Sequence, residues 1–261
     1  MQLPETILYE VRERVAVITL NRPERYNAVS PEMRVGIREA FAAANADDDV
    51  WVILFQAAGE KAFCAGADLS SSVKDLTSTP ETQLREFVPD PTKRHFHDIY
   101  KPIIAAVNGI CTAGGLEMLQ GTDIRLASEN ARFGLGEVKW GIVPLGGTHV
   151  RLPRQIPWAV AMELLLTGDM IGAERAREVG LVNYVVPLEE LHQRAFDLAV
   201  RLTKNGPLAL RTAKESVVRG MGLEAAFAND FYLSSRVFYS EDAKEGPAAF
   251  KEKRDPKYIN R

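Results

Sequence analysis

A pair of glycines followed by a glutamate is the first feature of the sequence that could perform chemistry. Gly114 and Gly115 come after an apolar segment that we expect to be a buried strand, and a helical pattern begins at Leu116. Free amides at a helix N-terminus can hold a developing negative charge on an oxygen. Glu117 lies about one helical turn further, so its carboxylate could face the same cavity. The alternative is a structural role, in which the glycines let the helix pack closely against the strand and the charge of Glu117 interacts favourably with the helix dipole.

A second glycine-containing turn runs from Ala65 to Leu69 and follows another expected strand. The amide of Ala67 would then lie at the carboxyl edge of the sheet, where open α/β sheets bind ligands. A surface turn stabilised by Asp68 explains the same residues without a ligand. The two turns together could supply a pair of converging amides, which neither supplies alone.

A second glutamate, Glu137, has strongly apolar neighbours. They are Phe133, Leu135, Val138, Trp140 and Ile142. Poor solvation raises the pKa of a carboxyl group towards the range that suits a general acid or base at neutral pH. The alternative is an exposed loop glutamate. The pair Gly146-Gly147 that follows lacks the Gly-Lys-Ser/Thr ending of a phosphate-binding loop, so it indicates little.

The elements that must position these groups are strands alternating with helices. Strands are predicted at 15–20, 50–55, 102–107 and 123–127, and a helix from Pro31 to about Asn45 with Ser30 as its N-cap. This order favours a largely parallel α/β core. A long loop is predicted for residues 70–91. Helices then follow from Trp158, at 188–202 and, as the last two, at 207–219 and 223–239. Their apolar side chains should pack against the core or another subunit.

Composition excludes several classes of protein. The 261 residues carry 32 basic and 35 acidic side chains, which gives a net charge of −3. This charge argues against binding to nucleic acids and does not favour binding to a membrane surface. No apolar stretch approaches the about 20 residues of a membrane span, and the N-terminus lacks a signal-peptide pattern. His95 and His97 have no further ligand at suitable spacing, so no metal site is predicted. The two cysteines form no disulfide framework, which fits a cytoplasmic location.

Motifs along nearly the whole chain resemble the enoyl-CoA hydratase/isomerase (crotonase) superfamily. They are residues 21–23, 27–28, 63–69, 102–109, 113–115, 166–168, 180–182 and 246–254. The resemblance implies an α/β fold with a crotonase-like ββα spiral core that holds the acyl-CoA site, residues 1–200. It also implies a C-terminal helical trimerisation region, residues 201–261, and hence a homo-oligomer, a trimer or a dimer of trimers.

The resemblance also assigns roles to individual residues. The amides of Ala67 and Gly114 would form an oxyanion hole around the thioester carbonyl of an acyl-CoA, and Glu117 and Glu137 would be the acid–base pair. The substrate and CoA contacts would be Arg25, Ala65, Gly66, Asp68, Leu69, Phe250 and Lys253. No separate cofactor is implied, because coenzyme A is part of the substrate.

The expected activity is reversible addition of water across the double bond of a 2-enoyl-CoA, and alternatives remain open. An isomerase would use one glutamate as a proton shuttle. The segment from Glu241 to Pro256 is similar to the carnitinyl-CoA dehydratase branch. A non-catalytic or RNA-binding relative would not need both glutamates. Ser70 stands where many members have a lysine that contacts CoA, and Leu145 where many have a glycine near the acyl pocket.

Overall fold

A computed structural model describes residues 3–68, 84 and 88–259 of the chain. Within that part, ten strands form two sheets. The strands are β1 (Ile7–Arg12), β2 (Val15–Leu20), β3 (Val52–Ala57), β4 (Ala62–Cys64), β5 (Ile103–Val107), β6 (Ile110–Thr112), β7 (Ile124–Ser128), β8 (Arg132–Gly134), β9 (Met170–Gly172) and β10 (Tyr184–Val186). The large sheet has the order β1-β2-β3-β5-β7-β10 and the small sheet the order β4-β6-β8-β9.

Parallel pairing dominates both sheets, as the alternation of strands and helices predicts. Among the described strands, the antiparallel pairs are β1 with β2 and β8 with β9. A strand of the large sheet repeatedly leads into one of the small sheet: β3 into β4, β5 into β6 and β7 into β8. Because β4, β6 and β8 are parallel neighbours, the segments that leave their carboxyl ends emerge at one edge of the small sheet.

The helices surround the sheets. They are α1 (Pro31–Ala46), α2 (Gly114–Leu119), α3 (Thr148–Gln155), α4 (Trp158–Thr167), α5 (Ala173–Glu178), α6 (Leu188–Leu202), α7 (Pro207–Gly220), α8 (Leu223–Phe238) and α9 (Glu241–Glu252). The prediction for α1 is confirmed, with Ser30 Oγ accepting from the Met33 amide at 3.2 Å. Helix α2 begins at Gly114, two residues before the predicted start, so the Gly114 amide belongs to its first turn.

Helix α9 contradicts the prediction that the last two helices are those at 207–219 and 223–239. Ser240 caps it by accepting from the Ala243 amide at 3.1 Å. This helix contains Gly246 and Pro247, and both residue types have low helix propensity, so the sequence did not predict a helix here. Gly246 is needed there because any side chain would overlap the Trp140 carbonyl group. Tertiary contact therefore outweighs helix propensity.

The strand predictions need smaller corrections. The strand predicted at 50–55 lies at Val52–Ala57, because Val50 closes the preceding turn through its amide and the Asp47 carbonyl at 3.1 Å. The strands predicted at 102–107 and 123–127 begin one residue later. Strands β1 and β10 and the whole small sheet were not predicted from the sequence.

Two apolar clusters lie on opposite faces of the large sheet. Alternate residues of β2 and β3, such as Ile18 and Phe55, join one cluster with α1, and Val17 and Leu54 join the other with α6. Burial of both faces explains why these strands are continuously apolar. The C-terminal aromatic residues divide between two environments. Phe227, Phe231 and Phe238 are buried, whereas Tyr232 is 68% exposed. No helix in the described ranges is long and apolar enough to cross a membrane.

Candidate active site

Three turns meet at the edge of the small sheet where β4, β6 and β8 end. The first contains Ala65, Gly66 and Ala67, the second begins α2 at Gly114, and the third is the 3-10 turn Gly136–Trp140, which carries Glu137. The order of the strands in the sheet, β4-β6-β8, brings together segments that are far apart in sequence.

The Gly66 and Gly114 turns are in contact. Gly66 has a φ of +91°, and a Cβ atom on it would lie 3.2 Å from the Gly114 nitrogen. A Cβ atom on Gly114 would lie 3.8 Å from the Ala67 nitrogen. Ala113, just before α2, has a φ of +51°, a strained value for alanine of the kind often found at functional sites. The amides of Ala67 and Gly114 are therefore neighbours.

Both amides are also available to a ligand. Gly66 and Asp68 bond to Val29 on one side of the chain, at 2.8 and 3.0 Å, so the Ala67 amide between them points to the other side. The Gly114 amide is in the first turn of α2, where helix geometry offers it no partner. In the described part of the chain neither amide donates to a protein acceptor. This pair can stabilise an anionic oxygen.

Glu117 lies beside these amides, on the first turn of α2, and is 7% exposed. Its Oε1 accepts a hydrogen bond from the Gly146 amide, and its Oε2 would lie 3.9 Å from a Cβ on Gly114. Burial, the largest effect, raises the pKa of Glu117 to about 7, although the Gly146 amide and His149 favour the charged form. The carboxyl group can therefore exchange a proton near neutral pH.

Glu137 is 8% exposed, as its apolar neighbours predict. Burial raises its pKa to about 8, and the negative charge of Glu117 adds to the shift. Its Oε2 is buried with no hydrogen-bond partner among the described residues. Two carboxyl groups that interact in this way titrate as a coupled pair, so the pair can hold a proton near neutral pH.

The remaining predicted residues differ in how they relate to this site. Asp68 braces the Ala67 turn by accepting from Arg22 Nη1 at 2.7 Å, and Ala65 donates to the Tyr26 carbonyl at 3.0 Å. That second bond ties the turn to the loop that carries Arg25, whose side chain is exposed. Leu69, like Ser70, lies outside the described residues.

The C-terminal candidates lie on α9 and just after it. The ring of Phe250 is 44% exposed and meets the Trp140 ring edge-on at 4.7 Å, so it borders the turn of Glu137. Lys253 ends α9 in the left-handed conformation, with a φ of +55° and an exposed side chain. Within the described residues no side-chain bond joins Lys253 to the Glu117 pocket.

Sequence reasoning missed the residues that hold the site in place. Gly146 seemed part of a weak glycine-pair motif, yet its amide bonds Glu117. Asn27 is fully buried and donates to the Ala58 and Ala62 carbonyls at 3.0 and 2.8 Å, which ties the start of β4 to the preceding loop. Only its place directly before Ala28 in a family motif could have drawn attention to it.

Comparison with known proteins supplies the family. A sequence model described as enoyl-CoA hydratase/isomerase matches residues 10–261. The chain belongs to the enoyl-CoA hydratase/isomerase (crotonase) family. It is 41% identical to the enoyl-CoA hydratase EchA19 of Mycobacterium tuberculosis, over 97% of this chain and 96% of that protein. It is also 41% identical to the (E)-benzylidenesuccinyl-CoA hydratase of Thauera aromatica, over 98% and 99% of the two chains.

Solved structures confirm the crotonase fold. The crystal structure of a carnitinyl-CoA hydratase from Mycobacterium avium matches with a TM-score of 0.87 and 36% identity, and covers 99% of this chain and 100% of that one. The predicted α/β fold is therefore correct, with two mixed sheets followed by C-terminal helices. Membership makes the chain an enoyl-CoA hydratase-family enzyme that acts on enoyl-CoA thioesters.

Proposed function

We propose that this enzyme is an enoyl-CoA hydratase that adds water reversibly across the double bond of a 2-enoyl-CoA. The observation that carries the proposal is the pair of buried carboxyl groups with raised pKa values, Glu117 and Glu137, of which Glu117 lies beside the turn that carries the Gly114 amide. Hydration needs one group to take a proton from water and another to give a proton to carbon. A pair that holds one proton between its two members provides both.

The amides of Ala67 and Gly114 bind the thioester carbonyl oxygen. As the water oxygen bonds to the β-carbon, the Glu117 carboxylate takes a proton from that water. The electron pair of the double bond moves towards the carbonyl, and the negative charge that forms on its oxygen is stabilised by the two amides. Glu137, which is protonated at the start, then delivers its proton to the α-carbon.

The cycle closes when the proton on Glu117 returns to Glu137. This transfer is supported by the electrostatic coupling of the two groups, because each carboxylate raises the affinity of the other for a proton. The reaction run in reverse removes water, so the same site would serve a dehydratase. The direction then depends on the substrate supplied.

We propose that CoA contacts come from the turn at Ala65, Gly66, Asp68 and Leu69 and from three exposed side chains, Arg25, Phe250 and Lys253. Cations suit the phosphates of CoA, and an aromatic ring suits its adenine. Phe250 supports the idea best, because its exposed ring contacts the turn of Glu137 through Trp140.

We also propose a homo-oligomer, a trimer or a dimer of trimers, assembled through residues 201–261. Large apolar side chains on α7 and α8 support it, because they are exposed in the single chain. They are Leu208 at 68%, Val217 at 59%, Tyr232 at 68% and Leu233 at 49%. A cytoplasmic location remains a prediction, and the two free cysteines, Cys64 and Cys111, are both buried.

The test of the proposed activity is a series of 2-enoyl-CoA substrates of increasing acyl length, beginning with crotonyl-CoA. Hydration removes the conjugated double bond, so the absorbance of the enoyl thioester should fall on addition of the wild-type enzyme. The saturated acyl-CoA of each length is the control and should give no change. If no member of the series loses its absorbance, the proposed activity is wrong.

A further inference from the structure

We propose that Asp230 and His149 are positioning residues for Glu117: the Asp230 carboxylate holds His149, and through it the Gly146–His149 turn whose amide orients the Glu117 carboxylate. This inference rests on the hydratase function proposed above. It gives α8, in the region predicted for oligomerisation, a second role in the chemistry of its own subunit.

The Gly146–His149 turn packs tightly against Glu117. The Gly146 amide donates to Glu117 Oε1, and a Cβ on Gly146 would lie 2.8 Å from Glu117 Cδ. Gly147, which precedes α3, has a φ of +96°, and a Cβ on it would lie 2.6 Å from Arg94 Cγ. A displacement of this turn must therefore move the carboxylate as well.

The turn is held from the side of α8. His149 Nδ1 and Asp230 Oδ1 are 2.7 Å apart, although the two residues are 81 positions apart in sequence. Ser234, one turn along α8, donates to the same oxygen at 3.2 Å. On the other side of the turn, Gln120 Nε2 and Thr148 Oγ1 are 3.3 Å apart. Of the bonds that the turn's own side chains make to other described residues, the one between His149 and Asp230 is the shorter and therefore the stronger.

A purely structural role does not explain Asp230, because its burial is unfavourable for the stability of the fold. It is 7% exposed, and its Oδ2 has no hydrogen-bond partner among the described residues. Arg94 Nη2 lies 3.9 Å from that oxygen, beyond hydrogen-bond distance, and it already donates to the Phe227 carbonyl at 3.0 Å. Burying an incompletely paired carboxylate lowers stability, and apolar replacements are often neutral or better. A role in the reaction accounts for that cost.

The charges around Glu117 agree with a link between the two sites. His149 and Arg94 lower the pKa of Glu117, and Asp230 raises it. The groups of α8 and α3 thus act on the charge of Glu117 as well as on its orientation.

The test uses Asp230→Asn, which keeps the shape of the side chain and removes its charge. We expect kcat for crotonyl-CoA hydration to fall at least about tenfold with KM unchanged, because a small misplacement of a catalytic group can cost roughly 10²-fold. The matched control is Glu224→Gln. Its carboxylate is also on α8 and also bonds a histidine, His97 Nε2, at 3.2 Å, yet among the described residues it has no bond to the turn. Its kcat should stay within about twofold of wild type.

A second arm separates positioning from general destabilisation. If Asp230 acts through Glu117, then Asp230→Asn should cause no further loss of kcat in a Glu117→Gln background. An equal fold-loss in both backgrounds would overturn the proposal, and so would a wild-type kcat for Asp230→Asn. Asp230→Asn weakens the bond to His149 by removing its charge, and should this variant fail to fold, His149→Gln removes the imidazole from the same bond on the more exposed side and should show the same pattern.

The outcome also distinguishes this inference from the proposed function. If Glu117→Gln keeps full activity, the acid–base assignment is wrong. If Glu117→Gln is impaired while Asp230→Asn and His149→Gln behave as wild type, only the positioning role is wrong.

Discussion

The pKa values of two glutamates in different regions of the molecule are shifted in opposite directions. In the pocket, burial raises the pKa of Glu137 to about 8, and the charge of Glu117 adds to this. On α9, Glu245 is partly exposed to solvent, and Arg254 and the Lys257 amide lower its pKa to about 2. The bonds from Arg254 Nη2 and from the Lys257 amide are 2.9 and 2.7 Å long.

This difference shows which carboxylates can take part in proton transfer. A surface glutamate paired with arginine remains charged throughout the physiological range, and such a pair contributes little to stability. A glutamate removed from water and placed beside a second one can hold a proton at neutral pH, and it pays for this in stability. The buried pair therefore suits the proton transfers of the proposed reaction, whereas Glu245 does not.

The largest expected effect comes from Glu117→Gln and Glu137→Gln. Each should lower kcat for 2-enoyl-CoA hydration by about 10² to 10⁴-fold, because the amide can neither accept nor give a proton. The measurement is the initial rate at saturating substrate, with the melting temperature as a check of folding. Glu245→Gln is the matched surface control and should stay within about twofold of wild type. Full activity in either pocket variant would refute its assigned role.

Gly146→Ala should come next, since it disturbs the pocket without replacing a titratable residue. The added methyl would lie 2.8 Å from Glu117 Cδ, so the carboxylate must move. We expect a fall in kcat of roughly 10²-fold, as for other small displacements of catalytic groups. Gly172→Ala places its new methyl carbon more than 4 Å from every heavy atom of the described residues, apart from those of position 172 and its two chain neighbours, and serves as the control. Equal rates for the two variants would show that the Gly146 contact does not orient Glu117.

The pH dependence of stability should differ in sign between the two regions. For Glu137, the folded pKa of about 8 exceeds the ordinary value of 4.5, so its stabilising contribution is complete below 4.5 and is lost as pH rises through 8. Glu137→Gln should therefore melt higher than wild type above about pH 8, and the pH-dependent part of this gain should vanish towards 4.5.

For Glu245 the shift has the opposite sign. Its pKa is lowered from 4.5 to about 2, so its stabilising contribution is present above 4.5 and is lost as pH falls through 2. Thermal melts of Glu245→Gln should show a small pH-dependent deficit that disappears in acid. A gain at high pH in Glu245→Gln, or none in Glu137→Gln, would contradict the contrast.

The smallest effects concern the exposed residues proposed to contact CoA. Phe250→Ala and Lys253→Asn should raise KM for crotonyl-CoA severalfold and leave kcat unchanged, since an exposed contact is worth roughly 1 kcal/mol or less. Asparagine is chosen at 253 because it tolerates the left-handed conformation. Lys244→Ala, from the same helix and paired with Glu241 at 2.7 Å, is the control. An unchanged KM in both variants would remove these residues from the CoA site.

The sequence predicts most of the long elements and the burial of Glu137 well. The strand Val15–Leu20 and helix Pro31–Ala46 have clear patterns, and the apolar neighbours of Glu137 indicate its burial. The small sheet was missed because three-residue strands have almost no periodicity. Helix α9 was missed because its Gly246 is required by a close contact with Trp140. Helix propensity describes only local sequence and cannot predict such a contact.

The supporting residues of the site are harder to predict for the same reason. The bonds of Gly146 to Glu117 and of His149 to Asp230 span 29 and 81 positions. Spacing within a motif says nothing about such pairs, because they depend on how α2, α3 and α8 pack. Local context is enough to propose Glu117 and Glu137 as the reacting groups, whereas the residues proposed to orient Glu117 can be identified only from the fold.

The source of the product oxygen tests the central claim most directly. A 2-enoyl-CoA and its 3-enoyl isomer are each incubated with the wild-type enzyme in heavy-oxygen water, and the products are analysed by mass spectrometry. The account predicts one solvent oxygen at the β-carbon of the product from the 2-enoyl-CoA, and no such product from the Glu117→Gln, Glu137→Gln double variant. Interconversion of the two substrates without incorporation of solvent oxygen would contradict it and identify an isomerase instead.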